Sequence, residues 1–284
     1  MNRRAISKAY INGMARSVRF FSFIFLISVL LALLYIFGFH RLFIAVLSLT
    51  TLFIVYLLFH PRNQWLVANR SRVDGASVKG AGVNGGRCVA LTFDDGPDPV
   101  YTPKLLDLLR EKGVKATFFV VGKRADQYPE IVRRVWAEGH LVGNHTWSHY
   151  PLFCFLMPGR LRAEIERCTQ SVRRSCGFSP RLFRSPVGLR HPLLAPYLEN
   201  AGLEYISWSI RTFDTFTADS SVLARRILSR AASGDIILLH DHLPRGTDAM
   251  LQALPRVIDE LRERGFEFVL VGGTLEPTTC EPVR

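Results

Sequence analysis

From Arg87 onward the chain repeats one pattern: a short apolar run, then a longer segment with helical apolar spacing, then, in most cases, a glycine. The runs 88–93, 116–121, 141–142, 182–183, 204–210, 236–239 and 266–271 read as strands. Between them, 102–112, 129–138, 161–176, 192–200, 221–232 and 248–264 read as helices. This alternation admits few folds. Parallel strands need long crossover connections, and helical crossovers leave a mostly parallel sheet with helices outside it. Six or seven such units within residues 87–272 predict a (β/α) barrel, distorted or incomplete, in preference to an open doubly wound sheet.

In both architectures, chemistry gathers where strands end. The first strand runs into Thr92-Phe93-Asp94-Asp95-Gly96-Pro97, which sets two adjacent carboxylates at a turn. Alone, that stretch is as much a turn signal as a site. The third strand leads to His145-Thr146-Trp147-Ser148-His149. Two histidines at i and i+4 would share one face of a helical turn and could grip one metal ion. With Asp94 or Asp95 they would make a two-His, one-carboxylate set, which leaves positions open for water and substrate.

The residues before this region are of another kind. Phe20 to Phe39 and Leu42 to Phe59 carry no charge, and each is near the length that spans a bilayer core. Only His40 and Arg41 separate them, with Gly38 just before, as suits two antiparallel helices joined by a tight turn. The apolar region is too long for a cleaved signal peptide, and no small-residue cleavage site follows the first run. The formal charge of +12 is concentrated here: nine of the 36 Lys/Arg lie within residues 1–72 with no Asp or Glu, leaving 27 against 24 beyond. That distribution reads as membrane topology, not as a nucleic-acid surface. Arg3, Arg4, Lys8, Arg16 and Arg19 precede the first run, Arg62, Arg70 and Arg72 follow the second, and the turn holds Arg41. Both ends are therefore expected on the cytoplasmic face of a bacterial-type inner membrane, with the large domain beside them. A single span with the second run in the interface and the domain outside is the rival topology. The expected layout is a basic tail (1–19), two membrane helices (20–60), a flexible tether (61–86, with a Gly/Ser/Ala-rich part from Val73 to Gly86), the domain (87–272) and a C-terminal tail (273–284). Five cysteines without CxxC spacing give no disulfide framework and no cysteine metal site, and favour a reducing compartment.

The TFDDGP stretch followed by H-x-x-x-H resembles the polysaccharide deacetylases, the NodB-like carbohydrate esterases. Three further segments are similar to motifs of that family and fall in its order: Arg184-Ser185-Pro186-Val187-Gly188, Asp214 within Arg211–Thr215, and Leu239-His240-Asp241. The resemblance implies a metal-dependent hydrolase acting on the amide of an N-acylated sugar. Asp95, His145 and His149 would hold one divalent ion, zinc above cobalt or nickel. Asp94 would be the general base, oriented by Arg184, and the backbone N–H of Val187 would help hold the oxyanion. His240 would protonate the leaving amine, tuned by Asp214. Two departures stand out: Val187 replaces the usual Tyr, and Thr215 the usual Trp, so a pocket wall is expected from Trp208 or Phe213 instead. The expected substrate is an N-acetyl or N-formyl amino sugar, in a polysaccharide or polyprenyl-linked at the membrane. Sugar O-acetyl esterase activity and a non-catalytic carbohydrate-binding protein of the same fold are the alternatives.

Overall fold

The computed structural model describes residues 3–73, 87–242 and 248–272. The Gly-rich tether from 74 to 86 and the C-terminal tail from 273 lie outside the described residues. Two helices open the chain, α1 (Arg3–Ile36) and α2 (His40–Phe59). They are antiparallel around Gly38, and both are long and apolar enough to cross a membrane. Only 11% and 17% of their most apolar windows is buried, so their apolar faces lack a protein partner along most of their length.

The expected alternation of strands and helices is present. Among the described residues the strands form one nine-stranded sheet, ordered β1-β6-β5-β4-β3-β2-β8-β7, with β9 (Phe266–Phe268) on β2 (Arg87–Asp94). Every pairing between these strands is parallel. The sheet curls into a half-barrel, open between β1 (Asn69–Arg70) and β7 (Ile210–Arg211). The remaining strands are β3 (Thr117–Val120), β4 (Leu141–Asn144), β5 (Leu182–Phe183), β6 (Glu204–Ile206) and β8 (Asp235–His240).

Strand parity decides which side chains face in. On β2, Val89, Leu91 and Phe93 join the large core under the outer helices, whereas Cys88 and Ala90 join the core inside the barrel. Asp94 shares the inward parity of Ala90. On β8, Ile236 and Leu238 face in, and so does the parity of His240. On β5, Leu182 faces in and Phe183 out, which turns Arg184 inward. Three expected site residues thus come from the alternation that builds the core.

The helices around the sheet include α3 (Tyr101–Glu111), α5 (Pro129–Ala137), α6 (Pro158–Cys176), α7 (Leu194–Ala201), α8 (Ser220–Leu228) and α9 (Ala249–Glu263), near their expected bounds. The short α4 (Gly122–Gln127) was not expected. The single strand expected over 204–210 is instead β6 and β7, interrupted at Ser207-Trp208-Ser209, because the chain there crosses the barrel's gap.

Two segments differ more. Residues 61–73 are folded, not a tether: Leu66 and Val67 are buried, β1 pairs with β6, and the Val73 amide donates to Gly234 O at 2.8 Å. The segment expected as a basic tail belongs to α1. Gly13 and Ser17 are buried against the stretch leading into and through α7, and Ser17 Oγ donates to Pro192 O at 2.8 Å. Phe20 of α1 and Leu57 and Leu58 of α2 form a core cluster with Cys154 and Leu189 of the domain. Fully buried Arg190 donates to His60 O and Pro61 O at 2.6 and 2.7 Å, clamping the exit of α2.

Candidate active site

The C-terminal ends of β2, β4, β5 and β8 converge on one side of the half-barrel. Asp94 and His240 are register partners on adjacent strands. Beyond β2 the backbone turns sharply: Asp95 has φ +77° and is followed by a cis Gly96–Pro97 bond. Gly96 has no room for a side chain, since a Cβ would lie 2.1 Å from the Asp241 carboxylate.

Asp95, His145 and His149 present one ligand atom each within 4.8 Å of one another. Asp95 Oδ1 lies 3.0 Å from His149 Nε2 and 3.3 Å from His145 Nε2. It is buried, and neither imidazole is aligned with it as a hydrogen bond. A buried anionic oxygen facing two ring nitrogens without a proper hydrogen bond is a donor set that fits a divalent cation. His145 Nδ1 donates to Arg184 O at 2.8 Å, which turns Nε2 toward Asp95, as metal-binding histidines require. Burial works against charge on Asp95, but the two histidines beside it hold its carboxyl well below the usual range. Burial likewise disfavours His145⁺, and Asp94 and Asp95 outweigh it, so its pKa is raised.

The two histidines do not share a helical turn. Residues 145–150 form an irregular loop in which Thr146 and His149 adopt φ +66° and +52°. That loop is fixed by Glu164 of α6, whose carboxylate accepts from the Trp147 and Ser148 amides at 3.1 and 2.7 Å and from Ser148 Oγ at 2.7 Å. Glu164 was not singled out in the sequence. It is a charged residue in an amphipathic helix, and only its burial distinguishes it.

Beside this triad, Arg184 is fully buried and donates to Asp94 Oδ1 at 2.7 Å and Thr92 Oγ1 at 2.8 Å. It also donates to Ile206 O and Ser207 O, and its guanidinium lies 4.2 Å from the centre of the Phe119 ring. Such saturation is what a buried cation needs. On the other side, Asp214 accepts from His240 Nδ1 and from the His240 amide, each at 2.8 Å, and from Thr212 Oγ1 at 3.0 Å. Burial lowers the His240 pKa. The hydrogen bond to Asp214 and its charge, with those of Asp95 and Asp94, overcome this and push it up to about 9.

Val187 has φ +58°, a strained value for a β-branched residue, and its side chain is exposed. Trp208 is buried and packs over Gly188, where a Cβ would lie 2.3 Å from the indole ring. It therefore supports the Val187 loop from behind. Phe213 is exposed at φ +57°, between Arg211 and Arg226 at 5.0 and 5.8 Å, and Thr215 is half-buried next to it. Asp241, part of a noted motif but given no role, is buried under the Asp95 turn. It accepts from the Gly96 amide at 2.9 Å and from Thr102 Oγ1 at 2.7 Å. Burial and the charge of Asp95 push its pKa up to about 7, against those hydrogen bonds.

Comparison with known proteins adds to this geometry. The polysaccharide deacetylase family model matches residues 81–206. A chitooligosaccharide deacetylase from Bradyrhizobium is 37% identical over 196 residues, covering 65% of this chain and 89% of that protein. The chain belongs to the polysaccharide deacetylase family. A peptidoglycan-N-acetylglucosamine deacetylase from Bacillus cereus is 34% identical over 181 residues, covering 64% of this chain and 66% of that one. An acetyl xylan esterase from Clostridium thermocellum, solved with a cobalt ion, superposes with a TM-score of 0.60 at 35% identity, over 65% of this chain and 88% of that one. These matches leave about a third of the chain uncovered.

Proposed function

We propose that this family member is a membrane-anchored, metal-dependent hydrolase that removes the N-acetyl or N-formyl group of an amino sugar. The observation that carries the reading is the convergence of Asp95, His145 and His149 beside two separate acid/base pairs, Arg184–Asp94 and Asp214–His240. A divalent ion, zinc or in its place cobalt or nickel, would polarise the acyl oxygen and make a bound water acidic enough to ionise near neutral pH. Asp94 is placed to accept a proton from the attacking water, and Arg184 holds the carboxylate in place. The Val187 N–H, presented by a positive-φ turn, donates to the oxyanion. His240, protonated and held through Nδ1 by Asp214, gives its proton to the leaving amine. An amide expels a poor leaving group, so a base and an acid of different pKa are both required. Completeness of this set argues against a non-catalytic binding protein.

The membrane reading rests on the contacts of the helical pair. The N-terminal half of α1 and the C-terminal end of α2 both touch the domain, while Gly38 lies at the far end. If both helices cross a bilayer, the domain sits on the side of the N-terminus, and the basic residues before α1's apolar stretch favour the cytoplasm for that side. Arg70 and Arg72 weigh less in this than the count suggests, because they are ion-paired with Glu204 and Asp235 of the domain. A cytoplasmic domain meets amino sugars on polyprenyl carriers sooner than finished wall polymers. A C-terminal reporter active only in the periplasm would overturn this topology.

The direct test of the chemistry is acetate or formate release by the full-length protein loaded with Zn²⁺ or Co²⁺. Asp94→Asn should lower the rate about 100- to 10,000-fold. A variant as fast as wild type would remove Asp94 as the base. The cobalt-bearing esterase relative favours one second reading, sugar O-deacetylation. Matched ester and amide substrates separate the two.

A further inference from the structure

The open side of the half-barrel is not empty surface. A groove of about 500 Å³ runs along it, lined by Phe59, Arg62, Val187, Trp208, Arg211 and Arg230, among others, with no carboxylate in its wall. Its lining includes both Phe59, the last residue of α2, and Val187, the residue proposed to hold the oxyanion. Among the described residues, Arg62, Arg211 and Arg230 make no ion pair, whereas Arg70 and Arg72, close to Arg62 in sequence, are both paired with carboxylates of the domain. Arg211 is steadied by the Phe213 ring, which leaves its N–H edge open. The backbone carrying Arg62 is held by buried Arg190 through His60 O and Pro61 O. The groove is therefore positively charged and partly rigid, and its wall joins the exit of α2 to the Val187 loop.

A second, apolar segment lies against the helical pair. Leu152, Phe155 and Met157 follow His149 and are 54%, 73% and 75% exposed. Cys154, among them, is buried against Phe20, Leu57 and Leu58 of the helical pair. The segment that follows His149 thus turns apolar side chains out beside the helical pair, where an interface could take them up.

We propose that this groove binds the phosphate or diphosphate of an amino sugar carried on a membrane lipid, the carrier lying along the Phe59 end. The proposal rests on the deacylase reading above and names its substrate class. A neutral glycan chain has no use for three unpaired guanidinium groups, which are suited to bidentate contact with phosphate. In a 2-acylamino sugar linked through its anomeric oxygen to phosphate, the anion lies only a few covalent bonds from the scissile carbonyl. An anion site must then adjoin the catalytic centre, as the Arg62–Arg211 groove adjoins Val187.

The test uses full-length protein in phosphatidylcholine nanodiscs. The measured quantity is the ratio of kcat/KM for polyprenyl-diphosphate-linked N-acetylglucosamine to that for neutral chitotetraose. Each of Arg62→Gln and Arg211→Gln should lower this ratio about 10- to 100-fold, the worth of a charged hydrogen bond, with Lys at either position losing less. An unchanged ratio overturns the groove. Calorimetry of metal-free protein with inorganic pyrophosphate gives a readout free of turnover: wild type should bind it and the double variant should not, and no binding by wild type overturns the assignment. Phosphatidylglycerol vesicles supply the competing source of phosphate. If they displace pyrophosphate as well as the lipid-linked sugar does, the groove holds bulk lipid and the substrate assignment fails. Wild type that hydrolyses neither sugar sinks the deacylase reading instead, and pyrophosphate binding then decides the groove alone.

Discussion

Five non-glycine residues of the described chain have positive φ: Asp95, Thr146, His149, Val187 and Phe213. All five lie in the loops that carry the candidate site. Each costs roughly 1–2 kcal/mol relative to a relaxed backbone. Such a concentration points to geometry that the surrounding fold must hold against local preference. His240 offers a test at this scale. Its pKa is raised to about 9, so the stability it gains from Asp214 is fully present below its unfolded value, near 6.5, and is lost as pH rises through about 9. Asp214→Asn should therefore destabilise the protein most at acidic pH, and the gap should narrow above pH 9 in urea titrations. If His240 is the acid, the same substitution should move the alkaline limb of the pH–rate profile to lower pH. A limb that stays in place would assign the acid to another group.

At the level of elements, much was legible in the sequence. The parity that packs Val89, Leu91 and Phe93 outward is the parity that aims Asp94 inward, so the first strand and its acid could be read together. The His145–His149 spacing was also visible, but its physical basis was not a helix. The two rings meet because a loop with two positive-φ residues folds over Glu164. No periodicity reports such a loop, and a lone Glu on an amphipathic helix reads as solvent-facing. The division of 204–210 into two strands was hidden for a related reason: Ile206-Ser207-Trp208-Ser209-Ile210 alternates apolar and polar residues as a strand does, and only the barrel's gap makes it a crossing. Glu164→Ala, which frees the Trp147 and Ser148 amides, should weaken metal binding about 10-fold or more in a titration while leaving the three ligands in the chain. Affinity equal to wild type would make Glu164 a spectator.

On the scale of the whole molecule, the boundary between anchor and domain is not where composition put it. The Gly-rich stretch after Val73 drew attention away from residues 63–73, whose two-residue strand is too short to show alternation. A protein beginning at Arg87 lacks Leu66, Val67 and β1, and leaves β6 as an open edge. Compared with one beginning at Asn63, it should lose roughly 3–6 kcal/mol, the worth of burying two such side chains. Denaturant midpoints of the two proteins measure the difference, and equal midpoints would show β1 to be ornamental. The arginines that follow α2 divide in the same way. Arg70 and Arg72 are tied into the domain, whereas Arg62, nearest the last turn of α2, is free to meet a ligand.

The pairing of β1 with β6 also bears on how the protein is made. A polypeptide is synthesised from its N-terminus, so the helical pair and β1 leave the ribosome before any other strand. β6 emerges more than a hundred residues later, and until then β1 waits without its partner. If the helices have by then entered the bilayer, the β6 side of the barrel closes onto a strand already tethered at the membrane. Insertion would then come before folding, and the mouth of the barrel would be set against the lipid surface from the moment it forms.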